Sequence, residues 1–185
     1  MRKIVIINRA PEWNMRMASE AFTAGFFARL GYKISKPHGI EDSHYNFKIT
    51  LDENEINVAV KGSQDGLWRL TQDYVTRGKR DYIKAAERWF SRFGPHTIFS
   101  LVQFKDVEKL DAPRIYLATP KEIFERLKNS SSGKGGCNLY ENKVWVKKAS
   151  GYGTTDKVPE NWMMTESRIK SLCKSASLLL EKQNA

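Results

Sequence analysis

Cysteine and histidine are scarce in this chain of 185 residues, which has two cysteines and three histidines. The cysteines, Cys137 and Cys173, are not spaced as metal ligands and are too few for a disulfide framework. The histidines include no pair four residues apart, as a helical zinc site would need, and we interpret all three as loop residues: His38, His44 and His96. Nothing marks a base beside Cys137. Zinc chemistry and nucleophilic catalysis by cysteine are therefore disfavoured.

Long hydrophobic runs are also absent. No segment approaches the length needed to cross a bilayer, and the amino terminus lacks the apolar core and cleavage site of a signal peptide. We therefore expect a cytoplasmic protein with no membrane partner. With 41% hydrophobic and 28% charged residues, the composition is typical of a globular protein, and the length predicts one domain over residues 1–185.

Negative charge is in deficit. The chain has 31 Lys and Arg against 21 Asp and Glu, which gives a net charge of +10. Such a charge raises the local concentration of polyanions, so nucleic acid is the first partner to consider. Charge alone does not choose between DNA, RNA and an acidic protein.

The most informative stretch is a predicted β-hairpin over residues 45–63. Apolar and polar residues alternate in both arms, and residues 52–55 supply a polar turn. The period of two places Asn46 on the polar face of the first arm, and it places Ala59 and Lys61 together on one face of the second. Lys61 ends the second arm and is followed at once by Gly62 and Ser63.

This hairpin carries V-A-V-K-G-S at residues 58–63 and follows a predicted helix that contains Glu20. In both respects it resembles the PD-(D/E)XK, or restriction endonuclease-like, nuclease superfamily. That superfamily usually has an Asp on the first arm, and an acid or Gln two positions before the Lys. The corresponding positions here are Asn46 and Ala59, so the motif is degenerate. The resemblance implies catalytic positions at Lys61, Glu20, Asn46 and Ala59, and a three-layer α/β/α fold with a central mixed sheet.

The same resemblance implies Mg²⁺ or Mn²⁺ as the cofactor of an active protein, with Glu20, Asn46 and Asp42 as candidate metal ligands. Phosphodiester cleavage needs two or more carboxylates to hold the cation and activate a water, and a lysine to stabilise the phosphate or deprotonate the nucleophile. Asn46 brings no charge and Ala59 no ligand. A missing acid would have to come from a neighbouring loop, where the candidates are Glu41, Asp42 and Asp65.

A basic segment follows the hairpin and contains a second predicted helix. Its inward face is apolar and consists of Tyr82, Ala85, Ala86, Trp89 and Phe93. A row of cations at a spacing of four can track a phosphate backbone, although the same pattern is typical of a solvated helix face. The predicted nucleic-acid-binding residues are this row and two arginines that precede it: Lys84, Arg88, Arg92, Arg77 and Arg80.

The remaining pattern predicts a strand at 3–7, a helix at 15–30, strands at 32–35, 97–104 and 114–118, a helix capped by Thr119 that runs to about 128, a strand at 140–148, and a closing helix from Thr165 to about 181. The first helix is expected to carry Glu20 on its flank and to bury Ala18, Phe22, Phe26 and Leu30. Residues 129–136 predict a mobile loop. This order gives a nuclease-like core at 15–128 and a loop-rich extension at 129–185 that ends in a helix.

Three functions stay open on the sequence alone. The preferred one is a DNA-directed nucleic-acid-binding protein that keeps the nuclease fold with weak or lost phosphodiesterase activity. The second is an active Mg²⁺-dependent endonuclease in which the missing acid has migrated, or in which Asn46 and Ala59 are engineered replacements of natural acids. The third is an adaptor whose basic surface binds an acidic protein. Many nucleases of this type act as dimers, so a homodimer is compatible with the resemblance, although no residue requires it.

Overall fold

A mixed β-sheet of five strands forms the centre of the protein. The computed structural model describes residues 12–36, 44–51, 54–76, 81–108, 110–133, 135–145 and 154–183, so the strand predicted at 3–7 lies outside the described residues. The sheet has the spatial order β1 (Lys33–Ser35), β2 (Phe47–Leu51), β3 (Asn54–Ser63), β5 (Thr97–Gln103) and β6 (Arg114–Ala118). Strands β3 and β5 are parallel, and the other neighbours are antiparallel.

The predicted hairpin is the antiparallel pair of β2 and β3, in which Phe47 lies opposite Val58. Alternate residues of β3 face opposite sides of the sheet, so Val58 packs in one core cluster and Ala59 in the other. The predicted strand at 97–104 is confirmed as β5, which is buried along its whole length. Its uninterrupted apolar pattern is what a strand covered on both faces requires.

Two helices cover each face of the sheet. The helices α1 (Glu12–Arg29) and α4 (Glu166–Gln183) pack on the face that contains Val58, and α2 (Tyr82–Phe90) and α3 (Pro120–Gly133) pack on the face that contains Ala59. The predicted three-layer α/β/α arrangement around a mixed sheet is thereby confirmed. Among the helices that the structure describes, none combines the length and the apolar character needed to cross a membrane.

The buried stripe of α1 differs from the predicted one by one position. Ser19, Thr23 and Phe27 are fully buried. The predicted stripe is wrong, because Ala18 and Phe22 are only partly buried. Its other two members, Phe26 and Leu30, are exposed. The buried hydroxyls are satisfied, since Oγ1 of Thr23 donates to the carbonyl of Ser19 at 2.8 Å and lies 2.8 Å from Oγ of Ser100 on β5. Small residues on this face allow α1 to approach the sheet closely.

Gly62 of β3 lies where α1 comes close to the sheet, and an added Cβ would overlap Oγ of Ser19 and stand 3.1 Å from Cγ of Met15. We expect Gly62→Ala to lower the free energy of unfolding by about 1–3 kcal/mol, because α1 would have to move away from β3. Chemical denaturation measures the change. Gly94→Ala is the control, since a Cβ there meets no described atom within 4 Å. Equal losses in the two variants would contradict the close approach.

Two small antiparallel sheets complete the fold. One pairs β4 (Leu67–Arg69) with β7 (Asn138–Tyr140), and the other pairs β8 (Asn142–Trp145) with β9 (Thr154–Lys157). The strand predicted at 140–148 is confirmed at residues 142–145, which form β8, but it is not continuous with Tyr140, which belongs to β7. Glu141 lies between β7 and β8 and belongs to neither strand. Its carboxylate accepts hydrogen bonds from Arg114 at 2.7 and 3.0 Å and from Tyr116 at 2.8 Å. This bidentate ion pair holds residue 141 against β6.

The start of α3 follows the prediction, but its end does not. Thr119 and Glu122 form a capping box, in which the backbone N–H of Thr119 donates to Oε2 of Glu122 at 2.7 Å and the N–H of Glu122 donates to Oγ1 of Thr119 at 3.2 Å. The helix continues to Gly133, so a loop from residue 129 is wrong. Ser130 is buried and donates to Asp156 on β9 at 3.0 Å, and this tertiary contact favours the longer helix.

Candidate nucleic-acid interface

The four residues at the predicted catalytic positions line one cleft at the end of β3. Glu20 belongs to α1, Asn46 directly precedes β2, and Ala59 and Lys61 belong to β3. The cleft has a volume of about 490 Å³. Pairing of β2 with β3 and packing of α1 on β3 bring these side chains together from three segments of the chain. We refer to this site as the first cleft.

Asn46 connects two elements of the first cleft. Its Oδ1 accepts a hydrogen bond from the backbone N–H of Val60 at 2.7 Å, and its Nδ2 donates to Oε1 of Glu20. Because the N–H of Val60 can only donate, the amide oxygen must face β3 and the amide nitrogen must face the carboxylate. Both ends of the Asn46 amide are therefore engaged.

Glu20 has a cationic partner on its own helix. Nε of Arg16 lies 3.1 Å from Oε1 of Glu20, and the Arg16 side chain is 76% exposed while that of Glu20 is 26% exposed. The sequence interpretation missed Arg16, although its spacing of four from Glu20 on a helix was a usable signal. It also missed Asp73, which lines the first cleft from a 3-10 helix at Gln72–Tyr74 and which no motif indicated.

Lys61 is a cation of the first cleft to which the described residues offer no acidic ion-pair partner. Among the described residues, no ion pair within 4.0 Å involves its Nζ. The side chain is exposed to the cleft, yet the surrounding protein removes part of its hydration. This desolvation lowers the pKa of Lys61, the positive charge of Arg16 lowers it further, and the charge of Asp73 acts in the opposite direction. An unpaired ammonium that has lost part of its water gains from binding an anion.

The residues of the first cleft do not fit a hard divalent cation. Mg²⁺ prefers octahedral oxygen ligands that include carboxylates. Glu20 is engaged by Arg16 and Asn46, the oxygen of Asn46 is engaged by Val60, and Ala59 has no donor atom. Within the described ranges, no group of three or more Asp, Glu, His or Cys side chains is placed to hold a metal ion. Two of the loop acids considered as migrated ligands lie outside those ranges: Glu41 and Asp42.

A second cleft, of about 620 Å³, adjoins the first. The lining residues that the two clefts share are Arg16, Val60, Lys61 and Arg69. Asp65 lines only the second cleft, and its carboxylate accepts hydrogen bonds from Arg69 at 2.8 Å and from Ser63 at 3.1 Å. Burial opposes its ionisation, but these hydrogen bonds outweigh that effect and lower the pKa of Asp65. Asp65 is therefore paired with Arg69.

The three cations predicted to form a row, Lys84, Arg88 and Arg92, are all exposed. Lys84 and Arg88 lie on α2, whereas Arg92 lies in the turn that follows the helix. Nζ of Lys84 lies 3.5 Å from an oxygen of Asp81. Nη1 of Arg88 donates to the carbonyl of Tyr74 at 3.3 Å and to Oγ1 of Thr76 at 2.9 Å. These partners of Arg88 are neutral, so its charge is held in place without being cancelled. The other two predicted cations lie outside the described residues: Arg77 and Arg80.

Arg92 connects the cation row to the first cleft. Its Nη1 donates to the hydroxyl of Tyr74 at 3.1 Å, and its Nη2 lies 3.1 Å from Nε2 of His44. The guanidinium also lies 5.9 Å from the centre of the Tyr74 ring. Tyr74 and His44 both line the first cleft. The cation row therefore ends at the rim of that cleft.

Comparison with known proteins adds a structural likeness. No protein-family model matches the chain, and no curated protein matches it. Among solved structures, the chain is similar to a bacterial homing endonuclease at 17% identity and a TM-score of 0.46, over 95% of this chain and 99% of that one. Membership of the PD-(D/E)XK superfamily and the homodimer stay predictions.

Proposed function

We propose that this protein binds nucleic acid, with DNA as its target, and that its metal-dependent phosphodiesterase activity is weak or lost. The observation that carries the proposal is the charge of the first cleft, in which cations outnumber acids. The side chains concerned are Arg16, Lys36 and Lys61 against Glu20 and Asp73; a fourth cation, Arg69, is paired with Asp65 of the second cleft. A concave site with this excess of positive charge attracts a phosphate backbone.

The loss of cleavage is supported by the same cleft. An amide at Asn46 and a methyl at Ala59 stand where the resemblance implies acids, and the one carboxylate of the motif, Glu20, already has a cationic partner in Arg16. Without a set of charged oxygen ligands, a hard metal ion binds weakly and no water is activated. The choice of DNA rests on the resemblance of the hairpin to DNA-directed nucleases.

The cation row provides a test of nucleic-acid binding. Each Lys or Arg that contacts a phosphate contributes about one unit to the slope of log affinity against log salt concentration. We expect the triple variant Lys84→Ala, Arg88→Ala and Arg92→Ala to lower that slope by about two to three units, and fluorescence anisotropy with a labelled duplex over a salt series measures it.

The matched control removes three exposed cations away from both clefts: Arg29→Ala, Lys33→Ala and Lys174→Ala. Its slope should stay close to that of the parent protein. Equal slopes for the two triple variants would mean that net charge, and not the cation row, governs binding. If the parent protein fails to bind duplex or single-stranded nucleic acid at low salt, the proposal is wrong and the basic adaptor becomes the better interpretation.

An active endonuclease is the second candidate, and one observation favours it. Glu20, Lys61 and Asp73 line one cleft, so an acid, a lysine and a further acid are close together. Cleavage of supercoiled plasmid, linear duplex, single-stranded DNA and RNA with Mg²⁺ or Mn²⁺ separates the two functions. Metal-dependent cutting that is lost in Lys61→Ala would establish the endonuclease, and salt-sensitive binding without cutting would support the proposal.

A further inference from the structure

The two clefts meet at a small group of cations, one of which, Lys61, belongs to β3 of the core sheet. Arg16, Lys61 and Arg69 line both clefts. Together the clefts therefore form a continuous groove with positive side chains at its midpoint. A strand of nucleic acid that lies along the groove has to pass these three side chains.

The three cations differ in how far their charge is cancelled. Arg69 is paired with Asp65 at 2.8 Å, so it offers little net charge to a ligand. Lys61 has no acidic partner within 4.0 Å among the described residues. Arg16 is intermediate, because Glu20 engages its Nε.

Within the part of the chain that the structure describes, no hydrogen bond engages the terminal nitrogens of Arg16. The described contact of the Arg16 guanidinium uses Nε alone, and the side chain is 76% exposed. A guanidinium has five N–H donors in a planar fork, so its Nη1 and Nη2 groups can donate to a second anion while Nε stays on Glu20. Arg16 and Lys61 both line the part of the surface where the two clefts adjoin, so an anion bound there lies beside both cations.

We infer that Arg16 and Lys61 bind one backbone phosphate directly, without a metal ion, and that Arg16 takes beside Glu20 the position of the divalent cation in a metal-dependent nuclease. This inference rests on the proposed function and makes it more specific. Two features support it: both ends of the Asn46 amide are engaged, and Glu20 already balances a positive charge. The seat that a metal ion would need is thereby occupied by protein groups, and the unpaired ammonium of Lys61 is left for the phosphate.

The variant Glu20→Gln distinguishes a metal-free phosphate site from a metal-dependent one, because the two predict opposite changes in DNA affinity. In the metal-free seat, Glu20 repels the phosphate, so its neutral isostere should bind a labelled DNA duplex about threefold to tenfold more tightly in EDTA. Replacing EDTA by Mg²⁺ at constant ionic strength should not strengthen binding by either protein. Stronger binding by the parent protein in Mg²⁺, together with weaker binding by Glu20→Gln, would overturn the inference.

A double-mutant cycle tests whether one phosphate is shared and does not depend on Glu20→Gln folding. Arg16→Ala and Lys61→Ala should each weaken duplex binding in EDTA by about tenfold, the size expected for a hydrogen bond between charged groups. Because both contact the same phosphate, the double variant should lose clearly less than the product of the two effects. A loss of affinity equal to the product would mean that the two side chains contact different phosphates, and it would overturn the inference of a shared phosphate-binding site.

The controls are Arg29→Ala, which removes an exposed arginine from the same helix, and Lys33→Ala, which removes an exposed lysine from β1. Neither should change affinity by more than about twofold, as for a screened surface charge away from the ligand. If all four single variants bind like the parent protein, the seat at Arg16 and Lys61 is wrong while nucleic-acid binding still stands. If the parent protein does not bind at all, the proposed function itself fails.

Discussion

The double variant Asn46→Asp and Ala59→Glu is expected to cleave DNA in the presence of Mg²⁺ at least about 10²-fold faster than the parent protein, the scale on which a preorganised charged group acts on a transition state. The structure favours this gain because positions 20, 46 and 59 already line one cleft together with Lys61. Three carboxylates there would supply oxygen ligands that the described residues of the parent cleft do not provide.

Repulsion between the carboxylates of the double variant is the reason why we expect it to bind Mg²⁺. Position 46 lies within hydrogen-bond distance of Glu20, so two carboxylates there repel each other unless a cation lies between them. Ala59 is 2% exposed, and a glutamate at this position has to extend into the first cleft to keep its charge in water. The charge of Arg16 alone cannot balance three carboxylates. The variant site should therefore bind Mg²⁺ more tightly than the parent protein does.

Nicking of supercoiled plasmid measures the gain, with thermal melting used to confirm that the double variant is folded. The matched control adds Lys61→Ala to the two substitutions and should remove the new activity, because the resemblance to the PD-(D/E)XK nucleases implies that Lys61 stabilises the phosphate. A folded double variant that shows no Mg²⁺-dependent gain would mean that the cleft is not a degenerate nuclease site. It would also count against the hypothesis that Asn46 and Ala59 are engineered.

Trp68→Ala is expected to produce the largest loss of stability, about 3–5 kcal/mol in the free energy of unfolding. Trp68 lies on β4 and is 1% exposed. Its Nε1 donates to the carbonyl of Val102 on β5 at 3.3 Å, and its ring packs edge-on against Tyr116 of β6 with 6.0 Å between centroids. Truncation would remove this packing and leave a cavity between β4 and the central sheet.

Urea denaturation measures the loss. Trp68→Phe should retain part of the stability, because its ring fills part of the cavity although it cannot donate to Val102. Met17→Ala is the control on an exposed apolar residue, since Met17 is 60% exposed, and it should change stability by less than about 0.5 kcal/mol. A loss below about 1 kcal/mol for Trp68→Ala would show that β4 is not anchored to the sheet by this side chain.

The parts of the fold that follow local rules could be predicted from the sequence. Alternation in the hairpin and the Thr119 cap of α3 each depend on neighbouring residues, and both appear in the structure. The buried stripe of α1 could not be found in this way, because buried Thr23 is paired with Ser100, a partner on a distant strand, and the hydroxyl of buried Ser19 donates to the carbonyl of Met15 in its own helix. Hydrophobic periodicity assigns hydroxyls to the surface and so shifted the stripe.

The residues of the candidate site also divide into those that local sequence patterns predict and those that only the tertiary fold brings together. The hairpin pattern placed Lys61 at the end of a strand, and the structure places it in a cleft with Glu20. The partner of Glu20 was within reach of sequence reasoning, since Arg16 lies one helical turn away. Asp73 was not, because only the tertiary fold brings the 3-10 helix beside β3. The break at Glu141 likewise depends on Arg114, which no local pattern connects to it.

The pairing of β4 with β7 also determines how the groove is assembled during folding. This ladder brings Trp68 against Leu139, so its closure requires the intervening chain, including α2, β5, β6 and α3, to be arranged first. Contacts of such long range form late, and a ladder of three residue pairs is a weak cooperative unit. Because β4 also carries Arg69 in the wall of both clefts, local opening of this ladder would widen the groove while the five-stranded sheet stays intact. Because Trp68 of β4 is buried against β5 and β6, such an opening would have to expose its ring, so the width of the groove depends on the packing of this one side chain in the core.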